Sequence, residues 1–362
     1  MKNSLLLMFI LLVFPFLLIN FNEKNIKLEE KSKNILNKMT LNEKIGQMFF
    51  VRHPIENQIE DIKKYHLGGY LFYSRDFKNE NPITFKNRII SYQKSSRIPL
   101  LIGVDEEGGN VVRVSKYNQF RKKPFKSSKN LYLEGGFKAI ENDTKDKCSF
   151  LKNLGINTNF APVVDISKNV NDYIYDRTIG LNKKLTSDYA NKVVKVMEKE
   201  KVVSVLKHFP GYSNNADTHQ NLSYDNRSLS TFKKNDFWPF VSGIEAGAEM
   251  VLVSHNIISK IDSKPASISL KIHQILKDNL NFNGVIITDA LDMSGLLQYL
   301  NGKSPAVVAI LAGNDMLCTT DYQKGINDVK DAVVKGIINE KRIDESVLKI
   351  IEMKIKMEII NQ

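Results

Sequence analysis

The sequence predicts an α/β fold, a single (β/α)8 barrel of the TIM type, and three observations point to it. Short apolar runs rich in β-branched residues alternate with longer stretches of helical period, the signature of βαβ units and a parallel sheet. A polar, chemically useful residue stands where most of these runs end, and in a (β/α)8 barrel the C-terminal strand ends converge on one mouth. The 362 residues fall within the roughly 200 to 400 that one barrel with insertions occupies.

Taken in order, the predicted strands are Met48 to Arg52, Gly69 to Ser74, Pro99 to Val104, Thr158 to Asp165, Val202 to Lys207, Met250 to Ser254, Val285 to Thr288 and Asp315 to Cys318. Helices are predicted between them over Pro82 to Lys94, Phe137 to Leu154, Ser187 to Glu200, Lys233 to Ala246 and Leu270 to Leu280. Tyr322 to Met357 reads as two amphipathic helices that close the barrel, with Ile326, Val329, Val333, Ile337 and Ile338 apolar at helical spacing. The residues at the strand ends are Asp105, Asp165, Lys207 with His208, His255 and Asp289. A doubly wound open sheet would also collect function at strand ends. No Gly-x-Gly-x-x-Gly loop or P-loop supports a nucleotide there. With no internal repeat and no long Pro/Gly/Ser linker, one domain is expected over residues 23–362.

Composition excludes some functions. Hydrophobic residues at 42% and charged residues at 25% are ordinary for a globular chain and argue against disorder. The formal charge is +12, but the lysines are scattered, with no dense basic block beyond Arg121, Lys122 and Lys123. That pattern describes a solvated basic surface, with at most weak attraction to an anionic cell wall, and not a nucleic-acid binder. Cys148 and Cys318 are too few for a disulfide scaffold or a zinc site and are expected to be buried thiols. At the N-terminus, Lys2 precedes an apolar run from Leu5 to Ile19, the layout of an export signal over residues 1–22. No small-x-small cleavage site follows, so a membrane anchor through residues 5–19 is the alternative. Both readings place the chain outside the cytoplasm, secreted, periplasmic or anchored facing outward.

Two segments carry chemistry. Lys207-His208-Phe209-Pro210-Gly211 leaves a strand through a dipeptide that continues neither a ladder nor a helix, and runs into a polar loop ending Asp217-Thr218-His219. An Asp two residues before a His can take its Nδ1 proton and support the imidazolium, which suits His219 to proton donation and return near neutral pH. Alone, the pair could equally be a metal ligand or merely solvated. The second segment, Gly284-Val285-Ile286-Ile287-Thr288-Asp289, is a buried-type strand that delivers one carboxylate at its end. Such a carboxylate can attack an anomeric carbon. Asp292 fits on spacing as well, and Asp289 could instead cap the following helix.

Together these segments resemble glycoside hydrolase family 3, in its β-N-acetylhexosaminidase branch. Asp105-Glu106-Glu107-Gly108-Gly109-Asn110-Val111-Val112-Arg113 is similar to the family's Asp-x-Glu-Gly-Gly-x-Val-x-Arg. Asn159 to Asp165 and Asp176-Arg177-Thr178-Ile179-Gly180 resemble its next two signatures, and the likeness runs from Glu43 to Met316. The resemblance implies a retaining hydrolase that releases terminal β-linked N-acetylglucosamine from cell-wall or related glycans. Asp289 would be the nucleophile, His219 the general acid/base and Asp217 its orienting carboxylate. Asp105, Arg113, Arg177, Lys207 and His208 would hold the sugar; the alternative reading is a structural ion pair among Asp105, Arg113, Asp176 and Arg177 at the strand ends, which need not exclude sugar contact. No metal or organic cofactor is implied, and a monomer is expected. The rivals are a β-glucosidase or glycoside phosphorylase on the same fold, and a noncatalytic glycan-binding protein. Two departures stand out: Tyr212 and Ser213 replace the family's His-Gly in a loop one residue shorter, and Glu106 stands where Gln is common, read here as neutral.

Overall fold

The computed structural model describes residues 26–180, 182–212 and 222–360. The predicted signal or anchor segment, Asp217 and His219 lie outside the described residues.

Eight parallel strands form one sheet: β1 (Phe49–Arg52), β2 (Gly69–Phe72), β3 (Leu101–Val104), β4 (Thr158–Asn159), β5 (Val203–Phe209), β6 (Met250–Val253), β7 (Val285–Thr288) and β8 (Leu317–Thr319). Each neighbours its successor, and β8 returns to pair with β1 through Phe49↔Leu317. The ring is nearly closed between β7 and β8 by the Ile287↔Met316 bridge and by Met316 N–H to Ile286 O at 2.9 Å. With helices outside and side chains inside, the strands are buried on both faces, which is why they read as continuous apolar runs. Inside the barrel, Phe50 packs edge-on against Phe160 at 5.2 Å between ring centres. Gly69 and Gly103 make the room for it. A Cβ at Gly103 would stand 2.7 Å from the Phe50 ring, and one at Gly69 would meet Leu101 O at 2.5 Å.

Most predicted boundaries hold within a few residues, and the differences have local causes. The expected strand Thr158 to Asp165 ends at Asn159: Ala161 N–H turns back to Asn159 O at 2.8 Å and Pro162 has no N–H to donate, and beyond them the contact with the next strand continues through Val205 N–H to Ala161 O at 2.9 Å and the Val163↔Lys207 bridge. The strand β5 runs on to Phe209, so Lys207 and His208 lie within it, with a register shift between Leu206 and Phe209. Such irregularities re-aim side chains beside functional sites. The helix expected over Lys233 to Ala246 is two, Leu229–Lys234 capped by Ser228 and Phe237–Glu245. Pro239 fits the first turn of the second helix, where a missing N–H leaves no intrahelical bond unmade. The helix Ser128–Asn153 starts earlier than predicted and is broken at Gly135 and Gly136. The segment Leu270 to Leu280 begins as an α-helix and passes into a π-turn at Ile275–Asn279. The short helices Gln58–Tyr65, Ser294–Leu300 and Pro305–Ala312 are additions to the predicted set. The final pair, Tyr322–Val334 and Glu340–Lys356, is as expected.

The helix Glu340–Lys356 carries Lys354 into the core, fully buried, where its ammonium donates to Gln47 Oε1 at 2.8 Å and Gly68 O at 3.0 Å. Burial lowers its pKa from 10.5 to about 7. Below pH 7 both folded and unfolded chains are protonated there, and the desolvation cost is present in full. Between about pH 7 and 10.5 the unfolded chain holds a proton that the folded chain releases, so this group makes folding more favourable as pH rises through that window. Denaturant titrations of Lys354→Met and wild type should therefore diverge by up to a few kcal/mol in favour of wild type from pH 7 to pH 9.5. A difference independent of pH would contradict this.

Candidate active site

The strand ends build one cavity of ≈330 Å³ at the barrel mouth, lined by Arg52, Tyr73, Asp105, Arg113, Tyr173, Arg177, Lys207, His208, Asp289 and Asp292 among others. Six residues singled out from the sequence therefore meet in one place: Asp105, Arg113, Arg177, Lys207, His208 and Asp289. A larger groove of ≈890 Å³ lies between the helices Lys183–Lys199 and Phe237–Glu245, beside Trp238, and has none of these strand-end groups in its wall.

A chain of ion pairs forms the floor. Lys207 Nζ sits 2.7 Å from Asp105 Oδ1 and 2.7 Å from Glu107 Oε1. Glu107 also receives Arg177 in fork geometry, from Nε at 3.1 Å and Nη2 at 2.8 Å. Burial pushes the Glu107 carboxyl up, but Arg177 and Lys207 outweigh it and hold the group well below the usual carboxylate range. For Asp105, burial is likewise opposed and overcome by Lys207 and Arg113. Both acids are thus held ionised.

Of the ion pairs weighed among Asp105, Arg113, Asp176 and Arg177, the structure does not join Arg177 to Asp176. Glu107 is the partner of Arg177, while Asp176 receives only a long contact, 3.4 Å, from Asn110 Nδ2. Asp105 with Arg113 is present as a loose pair at 3.5 Å. Glu107 stands inside the motif from Asp105 to Arg113, and the sequence by itself assigns it no role. The one signal it offers is its spacing, two residues past a strand-end Asp.

Glu106, read as a neutral departure, is fully buried and organises the loop that presents Arg113. Its carboxylate accepts from the backbone N–H of Arg113 and Val114, each at 2.8 Å, from Ser115 N–H at 3.2 Å and from the Ser115 hydroxyl. The chain doubles back between these points at Gly108, where φ is +105° and a Cβ would meet Lys126 O at 2.2 Å.

His208 is held on both nitrogens. Nδ1 lies 2.7 Å from Asp165 Oδ2 and Nε2 lies 3.1 Å from Arg177 Nη2, partners that select a ring donating from Nδ1 and accepting at Nε2. The other oxygen of Asp165, Oδ1, accepts from Tyr212 N–H at 2.7 Å, at the last described residue before 213–221. On the far side of that stretch, Arg227 binds Asp225 and Asp236 and reaches back to Gly211 O at 3.3 Å.

Asp289 follows β7. Its Oδ1 accepts from Ala290 N–H at 2.8 Å, and its own N–H donates to Val253 O at 3.0 Å. The Ala290 carbonyl faces His255 Nε2 at 2.9 Å, and His255 Nδ1 lies 2.7 Å from the Ser267 hydroxyl, so a buried imidazole braces the turn that carries Asp289. Asp292, the alternative on spacing, also lines the cavity, and its Oδ1 accepts from Thr320 N–H at 3.1 Å. Cys318 is buried nearby with its thiol raised well above the ordinary value by desolvation, which keeps it a spectator. Among the described residues no group of three or more His, Cys, Asp or Glu is placed to hold a metal ion, and no helix is long and apolar enough to cross a membrane.

Comparison with known proteins places this geometry. Residues 40–353 match the description "Glycosyl hydrolase family 3 N terminal domain". A β-hexosaminidase of Idiomarina loihiensis is 30% identical over 278 residues, covering 74% of this chain and 80% of that protein. β-Hexosaminidase A of Pseudoalteromonas piscicida is 27% identical over 82% of this chain and 55% of its own length, so the chain spans little more than half of that relative. A family 3 β-N-acetylglucosaminidase from Paenibacillus superposes with a TM-score of 0.82 at 26% identity, over 89% of this chain and 63% of that one. A β-glucoside phosphorylase superposes with a TM-score of 0.82 at 22% identity, over 93% of this chain and 62% of that one, which shows the shared fold. With the barrel, the strand-end cluster and the match over residues 40–353 in agreement, this chain belongs to glycosyl hydrolase family 3.

Proposed function

We propose that this protein is a retaining β-N-acetylhexosaminidase that releases terminal β-linked N-acetylglucosamine from cell-wall, peptidoglycan-derived glycans outside the cytoplasm. One observation carries the reading. The Asp289 carboxylate opens into the same small cavity as Asp105, Arg113, Arg177, Lys207 and His208, so one bound sugar can touch both the nucleophile and the hydroxyl ligands. The names of the β-hexosaminidase relatives support the substrate class, and the apolar run from Leu5 to Ile19 supports export.

In the proposed cycle, the Asp289 oxygen bonds to the anomeric carbon while the glycosidic bond breaks and His219 gives its proton to the leaving oxygen. A water then loses a proton to the neutral imidazole and displaces Asp289, with net retention. Asp217 holds the imidazole and supports its positive form. The chemistry asks for no metal.

The test is a substrate panel on the purified protein, comprising aryl β-N-acetylglucosaminide, aryl β-glucoside and peptidoglycan fragments, with and without phosphate. Faster release of N-acetylglucosamine, unchanged by phosphate, is the expected result. Preference for the glucoside, or a sugar 1-phosphate product, would replace the reading by one of the other activities on this fold. Binding of the fragments without turnover would make it a glycan-binding protein. His219→Gly should slow aryl glycosides of poor leaving groups far more than those of good ones, by about 10²-fold or more at the poor end. Equal loss across the series would remove the proton-donor role.

A further inference from the structure

The contacts of Arg227 join the two flanks of residues 213–221, the stretch that carries Asp217 and His219. Its guanidinium is forked on Asp225, with Nε 3.0 Å from Oδ1 and Nη2 2.6 Å from Oδ2, and Nη1 donates to Asp236 Oδ1 at 2.8 Å. Nη2 also reaches Gly211 O at 3.3 Å. The three acceptors belong to different elements. Gly211 follows β5, Asp225 pairs with Ile258 in a short two-stranded sheet, and Asp236 precedes the helix Phe237–Glu245. Both carboxylates are buried, and the guanidinium lies 4.2 Å from the centre of the Phe232 ring. Gly211 is packed directly on this group: its φ is +127°, and a Cβ there would stand 2.8 Å from Asp236 Oδ1.

The Gly211 side of this junction leads toward the sugar site. The next residue, Tyr212, donates its N–H to Asp165 Oδ1 at 2.7 Å, and the other oxygen of Asp165 lies 2.7 Å from His208 Nδ1. Arg227, Asp225 and Asp236 themselves stand outside the cavity wall. The span that a chain segment must bridge sets how many conformations it can adopt, and misplacing a reacting group by about 1 Å can cost about 10²-fold in rate. A planar fork holds its acceptors at fixed angles, which a single ammonium nitrogen does not. We propose that Arg227 is a positioning residue for proton transfer: by tying Gly211 to Asp225 and Asp236 it fixes the span of residues 213–221, and so the approach of the His219 imidazole to the leaving oxygen. The role of His219 rests on the hexosaminidase reading, while the tie rests on the contacts of Arg227 alone.

The test compares kcat/KM for two β-N-acetylglucosaminides, the dinitrophenyl glycoside with a good leaving group and the methoxyphenyl glycoside with a poor one. Only the second depends on the proton as its glycosidic bond breaks. In Arg227→Gln the ratio of the two, good over poor, should rise by about 10-fold above wild type, with Arg227→Lys between them, since it keeps the charge and loses the fork. In His219→Gly the ratio should rise further still, and adding Arg227→Gln to that variant should leave it where it is, because the two changes act through one group. The within-enzyme ratio cancels any general loss of active protein, and thermal melts check that each variant folds. Equal loss on both glycosides in Arg227→Gln overturns the proposal and leaves Arg227 a structural ion pair, and so does a further rise of the ratio in the double variant. If wild type cleaves neither glycoside, or His219→Gly keeps the wild-type ratio, the reading of His219 fails and the positioning role goes with it. Hydrogen exchange at the Gly211 and Tyr212 amides tells the two failures apart. Faster exchange there in Arg227→Gln shows that the tie holds and the assignment of His219 is at fault, and equal rates show that the tie itself is absent.

Discussion

Asp289→Asn is expected to lower turnover of an aryl β-N-acetylglucosaminide by on the order of 10³- to 10⁵-fold, the scale on which removal of a covalent nucleophile acts. The side chain keeps its shape and can still accept from Ala290 N–H, the contact made at 2.8 Å by Oδ1. What it loses is the charge and lone pair that, in the proposed cycle, bond to the anomeric carbon. The loss should therefore appear in kcat, with little change in affinity for N-acetylglucosamine itself. Asp292→Asn provides the comparison, because Asp292 lines the same cavity but spends Oδ1 on Thr320 N–H. If Asp292→Asn were the inactive variant and Asp289→Asn the active one, the nucleophile would have to be reassigned three residues along. A peptide carrying one sugar, isolated by mass spectrometry from enzyme quenched during turnover, should contain Asp289.

The second large effect is expected from Glu107→Gln. Three donors converge on this buried carboxylate, two from Arg177 and one from Lys207. An amide can accept on one side only and turns N–H groups toward the other cations. Breaking one partner out of a buried ion network costs about 3 to 5 kcal/mol, because the remaining charges stay buried and uncompensated. Chemical denaturation should show that loss at neutral pH. Activity should fall with it, since Arg177 also holds His208 Nε2 at 3.1 Å and the two would lose a common support. The pH dependence has a definite sign. A carboxyl held well below its ordinary value contributes stability that is present above pH 4.5, its unfolded value, and is lost as the pH falls through its folded value. Wild type should lose stability more steeply than Glu107→Gln as the solution is acidified below pH 4.5. Parallel curves for the two proteins would mean that Glu107 is not ionised in the folded chain.

Much of the barrel was legible because its signals are local. Apolar runs such as Val285-Ile286-Ile287-Thr288 and Leu101-Ile102-Gly103-Val104 are strands buried on both faces, and their spacing by helical stretches follows from the βαβ unit. Where local signals competed, boundaries moved. Pro162 lies within a run that reads as extended, and the helix read from Phe137 is preceded by a further helical stretch from Ser128 across the break at Gly135 and Gly136. Short helices such as Ser294–Leu300 lack enough turns to show a period. In the site, Asp105, Lys207, His208 and Asp289 were visible as polar residues ending apolar strands, and they do share one cavity. Glu107 and Glu106 were not legible. Adjacent in sequence, one pairs with Arg177 and Lys207 while the other is buried under the loop of Arg113.

By itself the sequence determined the order of strands and helices, the set of residues delivered to the strand ends and the family resemblance that assigns them roles. Only the tertiary structure decided who pairs with whom: Arg177 with Glu107 and not with its neighbour Asp176, Asp165 with both His208 and Tyr212, and Arg52 with Tyr73 and no carboxylate among the described residues. The reason is physical. Periodicity along one strand is set by the backbone of that strand, whereas an ion pair is chosen by distances of a few ångströms between different strands, and those follow from the stagger of the closed barrel.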